Sequence, residues 1–155
     1  MANYYRVDKR LFGVGETVRT AGEFSARFGD VAKAIEDALE AARPTAKTKR
    51  SDCLFLFESF DAARKHWLKM TGGKLYRIEI GEAPICHRAD MTIMDTMKDA
   101  PDGDWELHAR RYWAGEMSEA PEIEVLVIEA KVVEVLSTSE DDRRAHLKAR
   151  WRLAF

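Results

Sequence analysis

Two glutamates separated by one residue open an apolar segment late in the chain, in the run PEIEVLV at residues 121–127. Side chains two residues apart in a strand project to the same face, so Glu122 and Glu124 are expected to lie side by side. A carboxylate beside a sugar ring stabilises the positive charge that develops when a glycosidic bond is cleaved, and a second one activates an incoming nucleophile as a general base. The simpler interpretation is that both glutamates form the solvent-exposed face of a strand.

Two other polar residues lie where apolar, strand-forming segments begin. Arg6 follows two tyrosines in the segment YYRV at residues 4–7, and Ser51 precedes the apolar run CLFLF at residues 53–57. An arginine suits a diphosphate, because its planar guanidinium donates two parallel, charge-assisted hydrogen bonds. Alternatively, Arg6 lies at the edge of a sheet and Ser51 simply ends a loop.

The elements that must hold these residues are short strands mixed with helices. Strand-forming patterns occur at residues 4–7, 17–19, 53–57, 75–80, 84–88, 123–128 and 131–136. Apolar residues at three- and four-residue steps predict helices at 24–42, 60–70, 105–113 and 140–153. Residues 90–97 are ambiguous between a turn of helix and a loop.

Capping residues and turns set the limits of these elements. Asp30 is expected to cap the stronger half of the first helix, after an interruption at Gly29, and Ser59 to cap the second. Residues 137–139 are expected to cap the last helix, and a tight turn at residues 129–130 to join the final two strands as a hairpin. Short, hairpin-linked strands favour an α+β fold over a doubly wound parallel sheet.

The composition is that of an ordinary globular chain. Its 155 residues are 46% hydrophobic and 34% charged, which predicts one domain over residues 1–155 and excludes a disordered chain. No apolar run reaches the roughly 18 residues of a membrane span, and the first residues lack an apolar stretch of signal-peptide type, so we expect a cytoplasmic protein. The net charge of −2 lacks the basic excess of proteins that bind a nucleic-acid backbone.

The two cysteines are too few for a disulfide framework or a four-thiolate zinc site, and both are expected to be reduced and non-catalytic. Cys53 lies in an apolar run, where burial raises the pKa of a thiol and makes it unreactive. Cys86, His87 and Asp90 form only a weak metal-ligand pattern, so no metal is expected. The chain has no P-loop, and the glycine pattern that begins at Gly13 is not a complete dinucleotide-binding fingerprint.

Taken together, the YYRV segment, Ser51 and the motif EIEVL resemble the Arg–Ser–Glu branch of the ADP-ribosyltransferase-like superfamily. The runs GGKLYRIEI (residues 72–80) and ARRYWAG (residues 109–115) are similar to small, uncharacterised bacterial and phage members of that group. The resemblance covers most of residues 4–136 as a series of short segments.

This resemblance implies a role for each of the residues singled out above. Tyr5, Arg6 and Ser51 are expected to contact NAD, and Ser51 also to brace the catalytic glutamate. Glu124 is the expected catalytic carboxylate, and Glu122, at the variable first position of the motif, is expected to act in catalysis on the acceptor.

The same resemblance implies a fold and a function. The fold is α+β, with two small mixed or antiparallel sheets and flanking helices around a cleft that binds NAD. The function is NAD-dependent mono-ADP-ribosyl transfer, in which the nicotinamide N-glycosidic bond is cleaved and a macromolecule, expected to be a protein, is the acceptor. The alternative is a non-catalytic binding or inhibitor protein of phage or mobile-element origin that uses the same fold.

A basic loop precedes Ser51, with the sequence RPTAKTKR at residues 43–50. Its four cations are expected to border the cleft and to attract an anionic cofactor or partner. A solvated loop with no binding role is an equally good interpretation of the same charges.

Overall fold

The computed structural model describes residues 3–22, 29–70, 72–82, 84–136 and 139–154. In these residues the chain is mixed α+β, with seven β-strands and five α-helices. The strands are β1 (Tyr4–Asp8), β2 (Thr17–Arg19), β3 (Leu54–Phe57), β4 (Lys74–Glu79), β5 (His87–Asp90), β6 (Ile123–Val127) and β7 (Glu129–Val135). The helices are α1 (Asp30–Ala42), α2 (Phe60–Lys69), α3 (Met91–Asp99), α4 (Trp105–Trp113) and α5 (Glu140–Ala154), with 3-10 turns at Arg50–Asp52 and Asp102–Asp104.

The seven described strands are hydrogen-bonded in the order β2-β7-β4-β1-β3-β6-β5. The pairs β1–β3, β1–β4, β4–β7 and β5–β6 are all antiparallel. The α+β class predicted from the sequence is therefore confirmed, whereas the expected division into two small sheets is wrong for the described strands, because one sheet includes all seven.

The expected hairpin between the last two strands is also wrong. Glu129 and Ala130, predicted as a tight turn, belong to β7, and the neighbours of β7 are β2 and β4. Only Ile128 separates β6 from β7, which is shorter than the two-residue loop of the tightest common hairpin.

The chain divides into two compact units, which we describe separately. The first unit consists of Met1–Val18, Phe57–Gly81 and Ala130–Phe155, and the second of Arg19–Leu56 and Glu82–Glu129. Among the described residues, no helix has both the length and the apolar character that crossing a membrane requires.

In the first unit, β1 lies against β4 with Arg6 opposite Tyr76. Helix α2 begins as predicted, because the side chain of Ser59 accepts a hydrogen bond from the backbone N–H of Ala62 at 3.2 Å. The ring of Trp67 on α2 is covered by the guanidinium of Arg143 on α5, at 4.1 Å from the ring centroid. Residues 137 and 138 of the predicted α5 cap lie outside the described residues.

In the second unit, helices α1, α3 and α4 share one apolar cluster. Two tryptophans of α4 are fixed by indole hydrogen bonds, since Trp113 donates to the carbonyl of Leu39 at 2.7 Å and Trp105 to that of Met97 at 2.8 Å. Such bonds satisfy the polar end of a ring whose remaining surface is packed. The buried members of the cluster are Ile35, Leu39, Ala89, Ile93, Met97, Ala109, Tyr112 and Trp113.

Two helix boundaries differ from the expectation. Helix α1 begins at Asp30, with Gly29 rather than Asp30 in the capping position, and residues 24–28 of its predicted first part lie outside the described residues. The ambiguous segment at 90–97 is a helix, α3, whose cap is Asp90. The side chain of Asp90 accepts a hydrogen bond from the backbone N–H of Thr92 in the first turn of α3, which favours a helix in this segment.

The carboxylate of Asp90 also joins α3 to the segment that leads into β6. It is fully buried and accepts hydrogen bonds from the backbone N–H groups of Thr92 at 3.0 Å, Ser118 at 2.8 Å and Glu122 at 3.1 Å. Burial opposes its charge, but the hydrogen bonds from Ser118 and Thr92 outweigh burial and lower the pKa of Asp90 to about 2.

The low pKa of Asp90 predicts a loss of stability in acid. Because the pKa is about 2 in the folded protein and about 3.9 in an unfolded chain, the stabilisation is complete above about pH 5 and is lost as the pH falls towards 2. The free energy of unfolding should fall by about 2 kcal/mol over this range. Urea unfolding at several pH values measures it.

The variant Asp90→Asn should be less stable than the wild type at pH 7 and should lack this part of the acid dependence. The matched control is Asp95→Asn, since Asp95 is on the same helix but is 59% exposed in its pair with Lys98. If both variants keep the acid dependence of the wild type, the role given to Asp90 is wrong.

Candidate functional site

Glu124 is the centre of a buried charged cluster in the second unit. It lies on β6 opposite Ala89 of β5, and 4% of the residue is exposed. Its Oε1 accepts two hydrogen bonds, from Nη1 of Arg50 at 2.6 Å and from the hydroxyl of Tyr112 at 2.7 Å. A glutamate on the solvent face of a strand has no such partners, so the simpler interpretation of the EIE motif does not describe Glu124.

Arg50 links two carboxylates through one guanidinium group. Its Nε and Nη2 bind the two oxygens of Glu36 on α1, at 2.8 and 2.9 Å, while its Nη1 binds Glu124 and Tyr112. The guanidinium also lies over the ring of Phe55, at 4.7 Å from the centroid. Burial opposes the charge of Arg50, but Glu124, Tyr112 and Glu36 outweigh it and raise its pKa, so Arg50 is a permanent cation.

The phenol of Tyr112 completes the cluster from helix α4. Burial, followed by the charge of Glu124, raises the pKa of Tyr112, so the hydroxyl stays protonated. It donates a hydrogen bond to Glu124. Nε2 of His87 lies 3.0 Å from the carbonyl of Tyr112, and the imidazole packs against the ring of Trp113. Burial lowers the pKa of His87, so its ring is neutral at pH 7 and adds no charge to the cluster.

Glu122 and Ser51 have a different environment from Glu124. Glu122 precedes the first residue of β6 and is exposed, so the two carboxylates of the motif do not share the same surroundings. Ser51 is exposed in the 3-10 turn that also holds Arg50. Ser51 thus adjoins, along the chain, the arginine that binds Glu124.

Arg6 and Tyr5 belong to the first unit. Nε of Arg6 donates to the carboxylate of Asp8 at 2.9 Å, and 18% of the Arg6 side chain is exposed. Tyr5 packs edge-on against the ring of Phe60, with centroids 5.5 Å apart. That Arg6, Tyr5, Ser51 and Glu124 form one NAD site stays a prediction.

The basic loop does not present four equivalent cations. Arg43 forms a two-point ion pair with Glu40, at 2.9 Å for each hydrogen bond, and Arg50 is buried in the cluster around Glu124. Lys49 is exposed and Lys47 half-buried. The charge that this loop offers to a partner therefore comes mainly from the two lysines.

Sequence patterns did not identify three members of the cluster: Glu36, Arg50 and Tyr112. The sequence places Arg50 in the basic loop and Tyr112 in the run ARRYWAG, without indicating that either contacts Glu124. One sequence signal points to Glu36. It is a charged residue directly after Ile35, which is on the buried face of α1. The contacts that bring them together join residues 12 to 74 positions apart, which no local pattern contains.

No protein-family model matches the chain, and no curated protein matches it. Among the described residues, no group of three or more His, Cys, Asp or Glu side chains is arranged to hold a metal ion.

The two cysteines are predicted to differ in reactivity. Burial, followed by the neighbouring Cys86 thiol, raises the pKa of Cys53 to about 12, and Cys53 is 2% exposed, whereas Cys86 is partly exposed. Because the thiolate is the reactive form, iodoacetamide at pH 8 should alkylate Cys86 of the folded protein long before Cys53. Peptide mass mapping over time measures both. The unfolded protein, in which both thiols are accessible, is the reference. Equal alkylation rates of Cys53 and Cys86 in the folded protein would contradict the burial of Cys53.

Proposed function

We propose that this protein is an NAD-dependent ADP-ribosyltransferase with Glu124 as the catalytic carboxylate. The observation that supports the proposal is the burial of Glu124 beside a cation and a phenol, at the second position of the EIE motif. The resemblance described above gives a glutamate at that position the catalytic role. Burial and pairing are what a carboxylate with that role needs, since it must stay charged in a site that excludes water.

The arrangement around Glu124 suits the chemistry of glycosidic cleavage. When the bond between ribose C1′ and the nicotinamide nitrogen breaks, the electron pair stays on nicotinamide and positive charge develops on the ribose. Arg50 and Tyr112 both bind Oε1 of Glu124, and Oε2 accepts no hydrogen bond from the described residues. Oε2 can therefore accept a hydrogen bond from a ribose hydroxyl while the carboxylate charge stabilises the developing cation.

Glu122 and Ser51 take the remaining roles in this proposal. The acceptor nucleophile bonds to C1′ and gives its proton to a general base, and the exposed carboxylate of Glu122 is open to a macromolecular acceptor. Ser51, exposed next to Arg50, contributes a hydroxyl to NAD. The NAD contacts that the resemblance implies for Arg6 and Tyr5 stay a prediction.

A second candidate function is binding without catalysis. The observation that favours it is that Glu124 and Arg50 already have partners within the chain. A cluster of this kind can be a structural element of a protein that binds a nucleotide or a macromolecule and leaves it unchanged. Consumption of NAD distinguishes the two candidates.

The variant Glu124→Gln tests the catalytic role. Glutamine keeps the size of the side chain and an acceptor oxygen for Tyr112, but it removes the charge that stabilises the transition state. Interactions made mainly in the transition state affect turnover more than binding, and one such contact contributes a factor of ~10²–10³. NAD should therefore bind within a few-fold of the wild type, while NAD hydrolysis and target labelling fall at least about a hundredfold.

Two further variants make this test specific. Glu122→Gln should reduce transfer to a lysate acceptor and leave NAD hydrolysis nearly unchanged, because Glu122 acts on the acceptor. Glu119→Gln, in the exposed segment before β6, is the control and should match the wild type in all three measurements. A wild type that neither binds nor consumes NAD excludes the enzyme, and one that binds without consuming it establishes the binding protein instead.

A further inference from the structure

We propose that Arg50 and Tyr112 are the residues that position Glu124 for catalysis, with Glu36 holding Arg50 in place. This inference rests on the proposed function, because it concerns the carboxylate that we propose as catalytic. It adds residues from α1, the 3-10 turn and α4 to a site that the sequence motif placed on β6 alone.

The first argument is the geometry at Glu124. Nη1 of Arg50 and the hydroxyl of Tyr112 bind the same oxygen, Oε1, at 2.6 and 2.7 Å, and they also bind each other. These three groups form a closed triangle of hydrogen bonds. Two donors on one oxygen restrict the rotation of the carboxylate and leave the other oxygen, Oε2, outside the triangle.

The second argument is that Arg50 is itself held at several points. Glu36 binds Nε and Nη2 of Arg50 through both of its oxygens, and the rings of Phe55 and Tyr112 lie 4.7 and 5.2 Å from the guanidinium carbon. Only a planar fork with several N–H groups can bind two carboxylates in this way. A lysine, with one nitrogen at the end of a flexible chain, cannot reproduce it.

The third argument concerns charge. A buried carboxylate without a partner loses its charge or its position, because desolvation of an ion costs several kcal/mol. Arg50 is a cation that no accessible pH neutralises, and it places a fixed positive charge 2.6 Å from Oε1 of Glu124 before NAD arrives. Such preorganisation lowers the barrier of the chemical step and has little effect on ground-state binding.

The experiment compares Arg50→Lys and Tyr112→Phe with the wild type in NAD hydrolysis by the full chain. Both variants keep Glu124 and remove one of its two fixed hydrogen bonds. A displaced catalytic group loses about tenfold to a hundredfold in rate, so kcat should fall by that factor in each variant, with KM for NAD within about threefold. Glu36→Gln should have a smaller effect of the same kind, since it acts through Arg50.

Arg43→Lys is the matched control. Arg43 begins the basic loop that Arg50 ends, and it too forms a two-point pair with a glutamate, Glu40, but its partner lies on the surface. Its replacement should leave kcat and KM unchanged. Thermal unfolding of every variant shows how much each change destabilises the fold.

Chemical rescue separates positioning from a structural role. In Arg50→Ala, millimolar guanidinium ions should restore part of kcat, because a free guanidinium can occupy the vacated position beside Glu124. Equal concentrations of urea, which has no charge, should restore none. If Arg50→Ala does not fold, Tyr112→Phe decides the question, since it deletes a single oxygen.

The outcomes separate this inference from the function on which it rests. If the wild type does not consume NAD, both proposals are wrong. If the wild type is active and Glu124→Gln is not, but Arg50→Lys and Tyr112→Phe keep full kcat, the function stands and the positioning role is overturned. The positioning role is also overturned if Arg50→Lys and Tyr112→Phe lower the melting temperature but the folded variants keep the kcat of the wild type.

Discussion

The pairing of Arg50 with Glu124 is the interaction on which the second unit depends. Each of these charges costs several kcal/mol to bury and requires a partner at hydrogen-bond distance. Glu36 on α1 and Tyr112 on α4 supply the other partners. Helix α1, the 3-10 turn at Arg50–Asp52, helix α4 and strand β6 must therefore keep their relative positions, because a shift in any one breaks a hydrogen bond of a buried polar group.

This cluster is an inefficient way to stabilise a small core. Well-packed apolar side chains in place of a buried ion pair give equal or greater stability in many proteins, and the apolar cluster around Leu39 and Trp113 already joins α1 to α4. Apolar packing therefore already contributes to the association of these helices. We therefore propose that the additional charges serve chemistry at Glu124 rather than stability.

The sequence predicted features that depend on local patterns and missed those that depend on distant contacts. Helix α4 and the Ser59 cap follow from residue spacing and side-chain hydrogen bonding within one turn. The strand order does not, because β7 pairs with β4 across more than fifty residues. The EIE motif likewise marks Glu124 as a candidate, because the motif is local. The buried partner of Glu124 is Arg50, 74 positions away, and the local sequence places Arg50 in a basic loop.

The different environments of Glu122 and Glu124 follow from where strand β6 begins. The rule that side chains two residues apart share a face holds within a strand, but Glu122 precedes β6, and its backbone N–H is bound by the carboxylate of Asp90. Asp90 thereby fixes the backbone at the point where the chain enters the strand. The carboxylate of Glu124 is held among buried partners, while that of Glu122 stays exposed to solvent. A reaction that needs a fixed charge beside a sugar and a base open to a large acceptor requires this separation of the two.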